Sequence, residues 1–289
     1  MRHSQLKAFH YTALLGGFSR AAEALFLTQP AISEQVRKLE QEQDVLLISR
    51  AHKQISLTAQ GAQLFHLTKQ FFEIEQQIKE YLSESSAAIE GRLRIIADSA
   101  HHVTDILSRF RARHPKVKIT MRTGNTGEIL DELRAYNAEI GVVGSLGDSR
   151  DLVSLNLGRS EIIAFAARGF LPVGKHSVDL AELAELPLIF RETGSKTRQK
   201  LVDEAARHKI RLAPAIEAEG REAVREIVAS GAGIGFVSRA EFSHDDRLVP
   251  IRISDADIHM SESIVHLAGR REVRLIRAFM GFARAAGTG

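Results

Sequence analysis

An α+β multidomain chain is predicted: an N-terminal winged helix-turn-helix unit, a long dimerisation helix, and a C-terminal two-lobed α/β domain. Three observations predict it. Residues 18–39, FSRAAEALFLTQPAISEQVRKL, read as two short helices joined by a tight turn. From Thr58 to about Glu84, apolar residues recur in heptads. Beyond Arg92, short apolar runs alternate with amphipathic helical ones, the pattern of a sheet with helices on its faces. The boundaries implied are 1–58, 59–90 and 91–289, the last splitting into one lobe of about 91–160 plus 266–289 and another of about 161–265.

In the helix pair, Ser19 is expected to N-cap the first helix, which Leu25 closes, and Ala21 and Ala22 are small enough for close crossing. Thr28 caps the second helix, with Pro30 in its first turn, where a missing N–H costs little. Ile32, Val36 and Leu39 form one apolar stripe, leaving Pro30, Ser33, Glu34 and Arg37 on the opposite, polar face. Such a face suits base edges in a major groove. By themselves these residues also fit a surface hairpin within a larger core. LLIS and QISL then read as short strands around a loop holding Arg50, His52 and Lys53, either a wing resting on phosphate or a solvated basic turn.

Thr58 caps the long helix, in which Leu64, Phe71 and Ile78 alternate with Leu67, Ile74 and Tyr81. Three such heptads make a coiled-coil seam that needs a partner helix; the other reading is an amphipathic helix packed on its own domain. SESSAAIEG, residues 83–91, is small and polar, as a hinge would be.

Composition limits the function classes. Of 289 residues, 44% are hydrophobic and 26% charged, ordinary for a globular protein, and the formal net charge is +3. Residues 1–58 carry seven Lys/Arg against five Asp/Glu, a weak footprint for a DNA-binding monomer, so tight binding calls for two or more copies. With no cysteine there is no disulfide framework, thiolate nucleophile or Cys-ligated zinc. No apolar run reaches the roughly 18 residues of a membrane span, and MRHSQLKAFHY lacks a secretory core, so the cytoplasm is the expected location.

The segments GGFSRAAEAL, TQPAISEQVRKLE, Arg50 and ISLTAQG resemble the winged helix-turn-helix of the LysR-type transcriptional regulators, and the order of parts resembles that family over the whole length. Gln43 and Asp44 replace the family's usual apolar residue and Gly after the recognition helix, Ile48 stands where Phe is common, and Glu34 is unusual beside phosphates. Asp tolerates left-handed backbone, so the turn survives. The resemblance implies double-stranded DNA of dyad symmetry as partner, a dimer or tetramer, and DNA contacts from Ser19, Thr28, Gln29, Pro30, Ser33, Arg37, Arg50 and Lys53.

The third region begins with the strand LRIIA, a helix through ILSRFRARH, the strand KVKITMRT, a helix EILDELRAY and the strand IGVVG. A second series follows from EIIAFAA through LPLIF, AIEAE and GIGFV, and the chain returns through SIVHLA into a last helix. Two lobes joined by two crossing strands resemble the LysR effector domain, itself similar to periplasmic binding proteins, with ligands held outside the strand C-termini in the cleft between lobes. The loops expected there carry Ser99, His101 and His102; Asn125 and Thr126; Thr193, Ser195 and Thr197; and Arg221 and Glu222. All four loops open helices and together suit a small anion, although Ser, Thr and Asn also serve as ordinary caps. AHHVTDILSRFRARHP, MRTGNTGEIL, FRETGSKTR and GREAVREIVASGAGIGFVS are similar to a LysR subgroup associated with 2-aminoethylphosphonate catabolism, in which case Glu192 or Glu222 would meet the ammonium end.

Other signals carry less. GAGIGF follows a helix and enters a strand, the reverse of a phosphate-binding glycine loop, and reads as a helix C-cap. None of the 12 histidines shows the i, i+4 pairing of a helical zinc site, the adjacent His101 and His102 point differently, and no metal or cofactor is expected. No catalytic constellation is found, Ser195-Lys196 alone meaning little. The expectation is a ligand-responsive DNA-binding regulator rather than an enzyme. The alternatives are a regulator answering to an amino acid or carboxylate, a solute-binding module, or an α/β enzyme with an accessory domain.

Overall fold

A computed structural model describes residues 1–49, 55–82, 89–147 and 149–286. The expectations for Arg50, His52 and Lys53, and for most of the hinge, lie outside these residues. The chain divides into two compact units, residues 1–86 and 87–289. Among the described residues, no helix is long and apolar enough to cross a membrane.

The first unit contains α1 (His3–Leu15), α2 (Phe18–Leu25), α3 (Gln29–Gln43), β1 (Ile48–Ser49), β2 (Ser56–Leu57) and α4 (Ala59–Leu82). Its core gathers Ala8 and Phe9 of α1, Ala21 and Ala22 of α2, and Ile32, Val36 and Leu39 of α3, so the apolar stripe read from the sequence is the buried face. Thr28 caps α3 by accepting from the Ala31 N–H at 3.4 Å, and Pro30 lies in the first turn. Asp44 ends α3 at φ 51, the left-handed stop expected where a glycine is missing.

Ser19 is not the cap of α2. Gly16 ends α1 at φ 64 and only Gly17 intervenes, so α2 starts at Phe18 with Gly17 as its cap and Ser19 inside the helix. The Arg20 guanidinium closes this turn by donating to the Gly16 carbonyl at 2.6 Å.

The wing strands are shorter than the two four-residue runs suggested, pairing only Ile48 with Leu57 and Ser49 with Ser56. The preceding backbone is used elsewhere. Glu40 Oε1 accepts from the Leu47 and Ile48 N–H groups at 2.9 and 3.0 Å, and the Leu47 carbonyl accepts from the Thr58 N–H at 3.0 Å. Thr58 caps α4 by accepting from the Gly61 N–H at 3.0 Å. A Cβ at Gly61 would stand 2.0 Å from the Leu47 carbonyl oxygen, which is why this helix starts with a glycine in its first turn. Against α4, the buried His10 meets the Thr68 hydroxyl at 3.0 Å, and burial, then Lys69, pushes its imidazole down to about 4.

The second unit runs β3 (Gly91–Ala97), α5 (Thr104–Arg113), β4 (Val117–Thr123), α6 (Thr126–Arg134), β5 (Ile140–Gly144), β6 (Leu152–Ala167), β7 (Ser177–Val178), α7 (Leu180–Ala184), β8 (Leu188–Arg191), α8 (Lys196–Arg207), β9 (Pro214–Ala218), α9 (Arg221–Ala229), β10 (Ile234–Ser238), β11 (Leu248–Ile253), β12 (His259–Leu267) and α10 (Arg274–Ala286). The sheet order is β4-β3-β5-β12-β6-β10-β8-β9, with β11 also on β6. Pairing is parallel within each lobe, β3 with β4 and β5, β8 with β9 and β10. At the middle, β6 and β12 run antiparallel as the two crossing strands. One half of β6 pairs with β12 in lobe 1 and the other, from Ile162, with β10 in lobe 2.

Each lobe buries apolar residues on both faces of its half-sheet. In lobe 1, Phe110, Phe279 and Met280 cover one face, and Ile129 and Leu133 the other. In lobe 2, Leu183, Leu201 and Phe190 lie on one side, and Val224 and Val228 on the other. In this unit β7, α7 and β11 went unread in the sequence, as did α1 in the first. Pro250 explains β11, since a proline inside LVPIRI argues against a strand; here it stands opposite Phe165 of β6.

Candidate functional site

Two surfaces carry chemistry, one in each unit. On the first, Ser19, Thr28, Gln29, Pro30 and Arg37 are exposed and Ser33 half-buried. Thr28, Gln29, Pro30, Ser33 and Arg37 belong to the start and outward face of α3, away from the buried stripe. Arg37 is not idle there: its Nη2 lies 2.8 Å from Glu34 Oε2, and Lys38 approaches the same carboxylate at 3.6 Å. The hydrogen bond from Arg37 holds the Glu34 carboxyl below its ordinary range.

The second surface is the cleft of the 87–289 unit. The strands β3 and β8 end at Ala97 and Arg191, each lobe thus presenting the C-terminal ends of parallel strands where α/β folds hold ligands. Asp98, directly after β3, is 5% exposed and receives two arginines from lobe 2: Arg191 Nη1 at 2.6 Å and Arg221 Nη2 at 2.8 Å. Burial alone would raise the Asp98 carboxyl, but the Arg221 and Arg191 charges outweigh it and hold it below the usual range. Arg191 also donates through Nη2 to Glu192 Oε1 at 2.6 Å, and Glu192 Oε2 accepts from the Gly220 N–H at 3.0 Å. A chain of charge thus links the end of β3, the end of β8 and the start of α9.

A cavity of about 620 Å³ opens over this chain, with Ser99, Asn125, Arg191, Glu192, Arg221 and Glu222 in its wall. A neighbouring cavity of about 390 Å³ shares Ser99, Arg191, Arg221 and Glu222 and adds Thr197 with the apolar Phe165 and Phe242. Asn125 caps α6, accepting from the Glu128 N–H at 3.1 Å, and the cleft narrows where it faces Gly194. A Cβ at Gly194, whose φ is +100, would come within 3.0 Å of the Asn125 Oδ1.

The remaining residues singled out in the sequence do not line either cavity. Thr126 is buried, its hydroxyl 3.4 Å from the Gly144 carbonyl, and Ser195 is the buried cap of α8, receiving the Arg198 N–H at 3.5 Å. Thr193 is exposed at the surface. His101 is exposed in a 3-10 turn that precedes α5, so the first loop does not open directly into its helix. His102 turns away from His101, the rings 85° apart, and places Nε2 3.1 Å from Glu241 Oε1.

Asp98 and Arg191 were missed. The available signal was positional: a charged residue closing or following an apolar strand run, LRIIA-D and LIF-R, lies at the strand C-terminus where a cleft forms. The balance of charge was missed as well. The larger cavity holds six carboxylates (Asp98, Glu128, Glu192, Glu219, Glu222, Glu226) against two arginines, so a bare anion meets a predominantly acidic wall.

A helix-turn-helix unit with an exposed polar face, joined in one chain to a two-lobed α/β unit with an inter-lobe cleft, is the architecture of a DNA-binding regulator carrying a small-molecule-binding domain. The chain belongs to the LysR family: residues 3–62 match the bacterial regulatory helix-turn-helix protein, lysR family, and residues 86–288 match the LysR substrate binding domain. It is thus a LysR-type DNA-binding transcriptional regulator with an effector-binding domain. It is 26% identical over 255 residues to the HTH-type transcriptional activator CmpR of Synechocystis sp., covering 88% of this chain and 84% of CmpR. It is 28% identical over 299 residues to a RuBisCO operon transcriptional regulator of Acidithiobacillus ferrooxidans, covering 99% and 95%. Among solved structures, a full-length OxyR variant from Pseudomonas aeruginosa superposes with a TM-score of 0.79 at 19% identity, covering 98% of this chain and 95% of OxyR, a likeness of fold.

Proposed function

We propose that this regulator binds DNA of dyad symmetry as a self-associated dimer or tetramer and changes its hold on that DNA when a small effector enters the cleft of the 87–289 unit. The observation that carries the effector half is the tether of Asp98 to Arg191 and Arg221. The charges that join the lobes are also cavity wall, so a charged ligand must exchange with them. A ligand that interacts differently with the tethered and released arrangements shifts the population between them.

The effector proposed is a small zwitterion with an anionic head, 2-aminoethylphosphonate being the candidate to test first. Arg191 and Arg221, with the N-termini of α6 and α9, favour the head, and Glu192 and Glu222 favour an ammonium end. The acidic excess of the wall supports an ammonium-bearing ligand over phosphate alone. An amino acid offers the same pair of charges and is the second reading. Calorimetric titration with 2-aminoethylphosphonate, phosphate and an amino acid tests this: selective micromolar binding of the phosphonate is expected, whereas an absence of binding discards it as the effector.

For DNA, the proposed contacts are Ser19, Thr28, Gln29, Pro30, Ser33 and Arg37, with Arg50 and Lys53 from the wing loop. Arg37→Ala is expected to weaken binding to the specific site by roughly 1–3 kcal/mol while sparing random DNA. An equal loss on both in a gel-shift titration would make Arg37 a phosphate contact instead.

A further inference from the structure

A second cluster of ionisable groups adjoins the cleft through Arg221. His102 follows β3 in lobe 1, Glu241 lies in the 3-10 turn after β10 in lobe 2, and Glu262 stands on the crossing strand β12. Opposite Glu262 and Ser263 the register shifts, because the partner strand β6 carries one extra residue, Leu157, between Asn156 and Gly158. One ligand-type atom from each of the three residues lies within 4.8 Å of the other two. His102 Nε2 is 3.1 Å from Glu241 Oε1 and 3.8 Å from Glu262 Oε1. Glu262 is 3% exposed, and neither of its carboxylate oxygens has a hydrogen-bond partner among the described residues.

A buried carboxylate without a donor is costly unless a cation or proton meets it. His102 does not supply the missing donor, its Nε2 standing 3.8 Å from Glu262 Oε1. Arg221 touches Glu241 Oε2 and Asp98, leaving Glu262 unserved. Asp98, Glu241 and Glu262 set three carboxylates against the two guanidiniums of Arg191 and Arg221, a formal balance that stays negative and favours a cation.

We propose that His102, Glu241 and Glu262 form a binding site for one divalent first-row transition-metal ion, joining both lobes to the crossing strand. One imidazole nitrogen and two carboxylates suit the Zn²⁺ and Mn²⁺ class rather than the all-oxygen cages of Ca²⁺. Ligand atoms around such an ion, at bonds of about 2.0–2.2 Å, stand roughly 3–3.5 Å apart, so the cluster needs only a modest contraction. The metal would sit on His102 Nε2 with the ring N–H on Nδ1, and Arg221 on Glu241 Oε2 would orient that ligating carboxylate. Arg221 also lines the effector cavity, so metal occupancy and effector affinity are coupled, and the coupling is reciprocal.

The test uses chelator-treated full-length protein titrated by calorimetry with Zn²⁺ and, separately, Mn²⁺. Wild type is expected to take up one equivalent of metal and to melt at a higher temperature with it. Glu262→Gln is expected to weaken that equivalent at least ~10-fold while its metal-free melting temperature stays level or rises, an uncompensated charge having been removed. His102→Gln is expected to show the same loss of affinity, so a folding defect in one variant does not decide the outcome. Saturable binding by neither metal, or binding unchanged in both variants, would overturn the proposal.

Discussion

Arg191→Ala is expected to destabilise the 87–289 unit by about 3–5 kcal/mol, the largest loss in stability from any single change described above. The reason is what is left behind. Arg191 and Asp98 are 8% and 2% exposed at their side chains, and Arg191 also serves Glu192. Truncation strands Asp98, whose side chain is almost wholly buried, with Arg221 as its one remaining guanidinium partner. Urea unfolding followed by near-UV circular dichroism measures the loss. The double change Arg191→Met with Asp98→Asn, which removes both charges, is expected to recover much of it, because a buried pair contributes little net stability compared with the cost of breaking it. A loss below about 1 kcal/mol for Arg191→Ala would mean that the lobes open and hydrate the site at little cost.

The same pair sets an acid limit. The Asp98 carboxyl is held below its unfolded value, so its contribution is fully present above about pH 4 and is lost as pH falls through the lower, folded value. Stability of wild type is expected to fall more steeply with acidification in that window than stability of the double variant. Parallel curves would show that Asp98 is not part of the acid response.

Ile74→Asp is expected to abolish self-association through α4 and to lower operator affinity by roughly 10²–10⁴-fold, the largest functional effect. Along α4, Leu67, Phe71, Ile74, Ile78 and Tyr81 are exposed, with fractional exposures of 59%, 45%, 56%, 54% and 89%. Their spacing of four and three residues is that of a coiled-coil seam, and the described residues of their own unit leave it open to a partner helix. Leu64, read as the first member of this series, instead packs beside the core of α1–α3. A carboxylate at the centre of the seam cannot be desolvated without a partner, so pairing fails while the helix-turn-helix core is untouched. Analytical ultracentrifugation and a gel-shift titration on a dyad site measure the two effects. A variant that stays associated through another surface with unchanged DNA affinity would remove α4 from the assembly.

The parts of this protein legible in its sequence are those governed by local periodicity and local caps. The stripe Ile32-Val36-Leu39, the Thr28 and Thr58 caps, the left-handed Asp44 and the start of α9 at Arg221 depend on neighbours a few residues away, and each stands in the structure as read. Where two local signals competed, the sequence misled: Ser19 looked like a cap, but the left-handed Gly16 left room only for Gly17. Three of the four loops were legible because they open α helices. What they surround was not, since Asp98 meets Arg191 across 93 residues and Arg221 across 123, and Glu262 reaches His102 only through the crossing of β6 and β12. Burial then decides the charge each of these groups can hold, raising Glu262 while arginines keep Asp98 ionised. The sequence by itself determined the two classes of unit and the outward faces of α3 and α4. Only the tertiary structure decided which charges face one another in the cleft, because ion pairing depends on distance in space and on lost solvent, and neither is written in spacing along a chain.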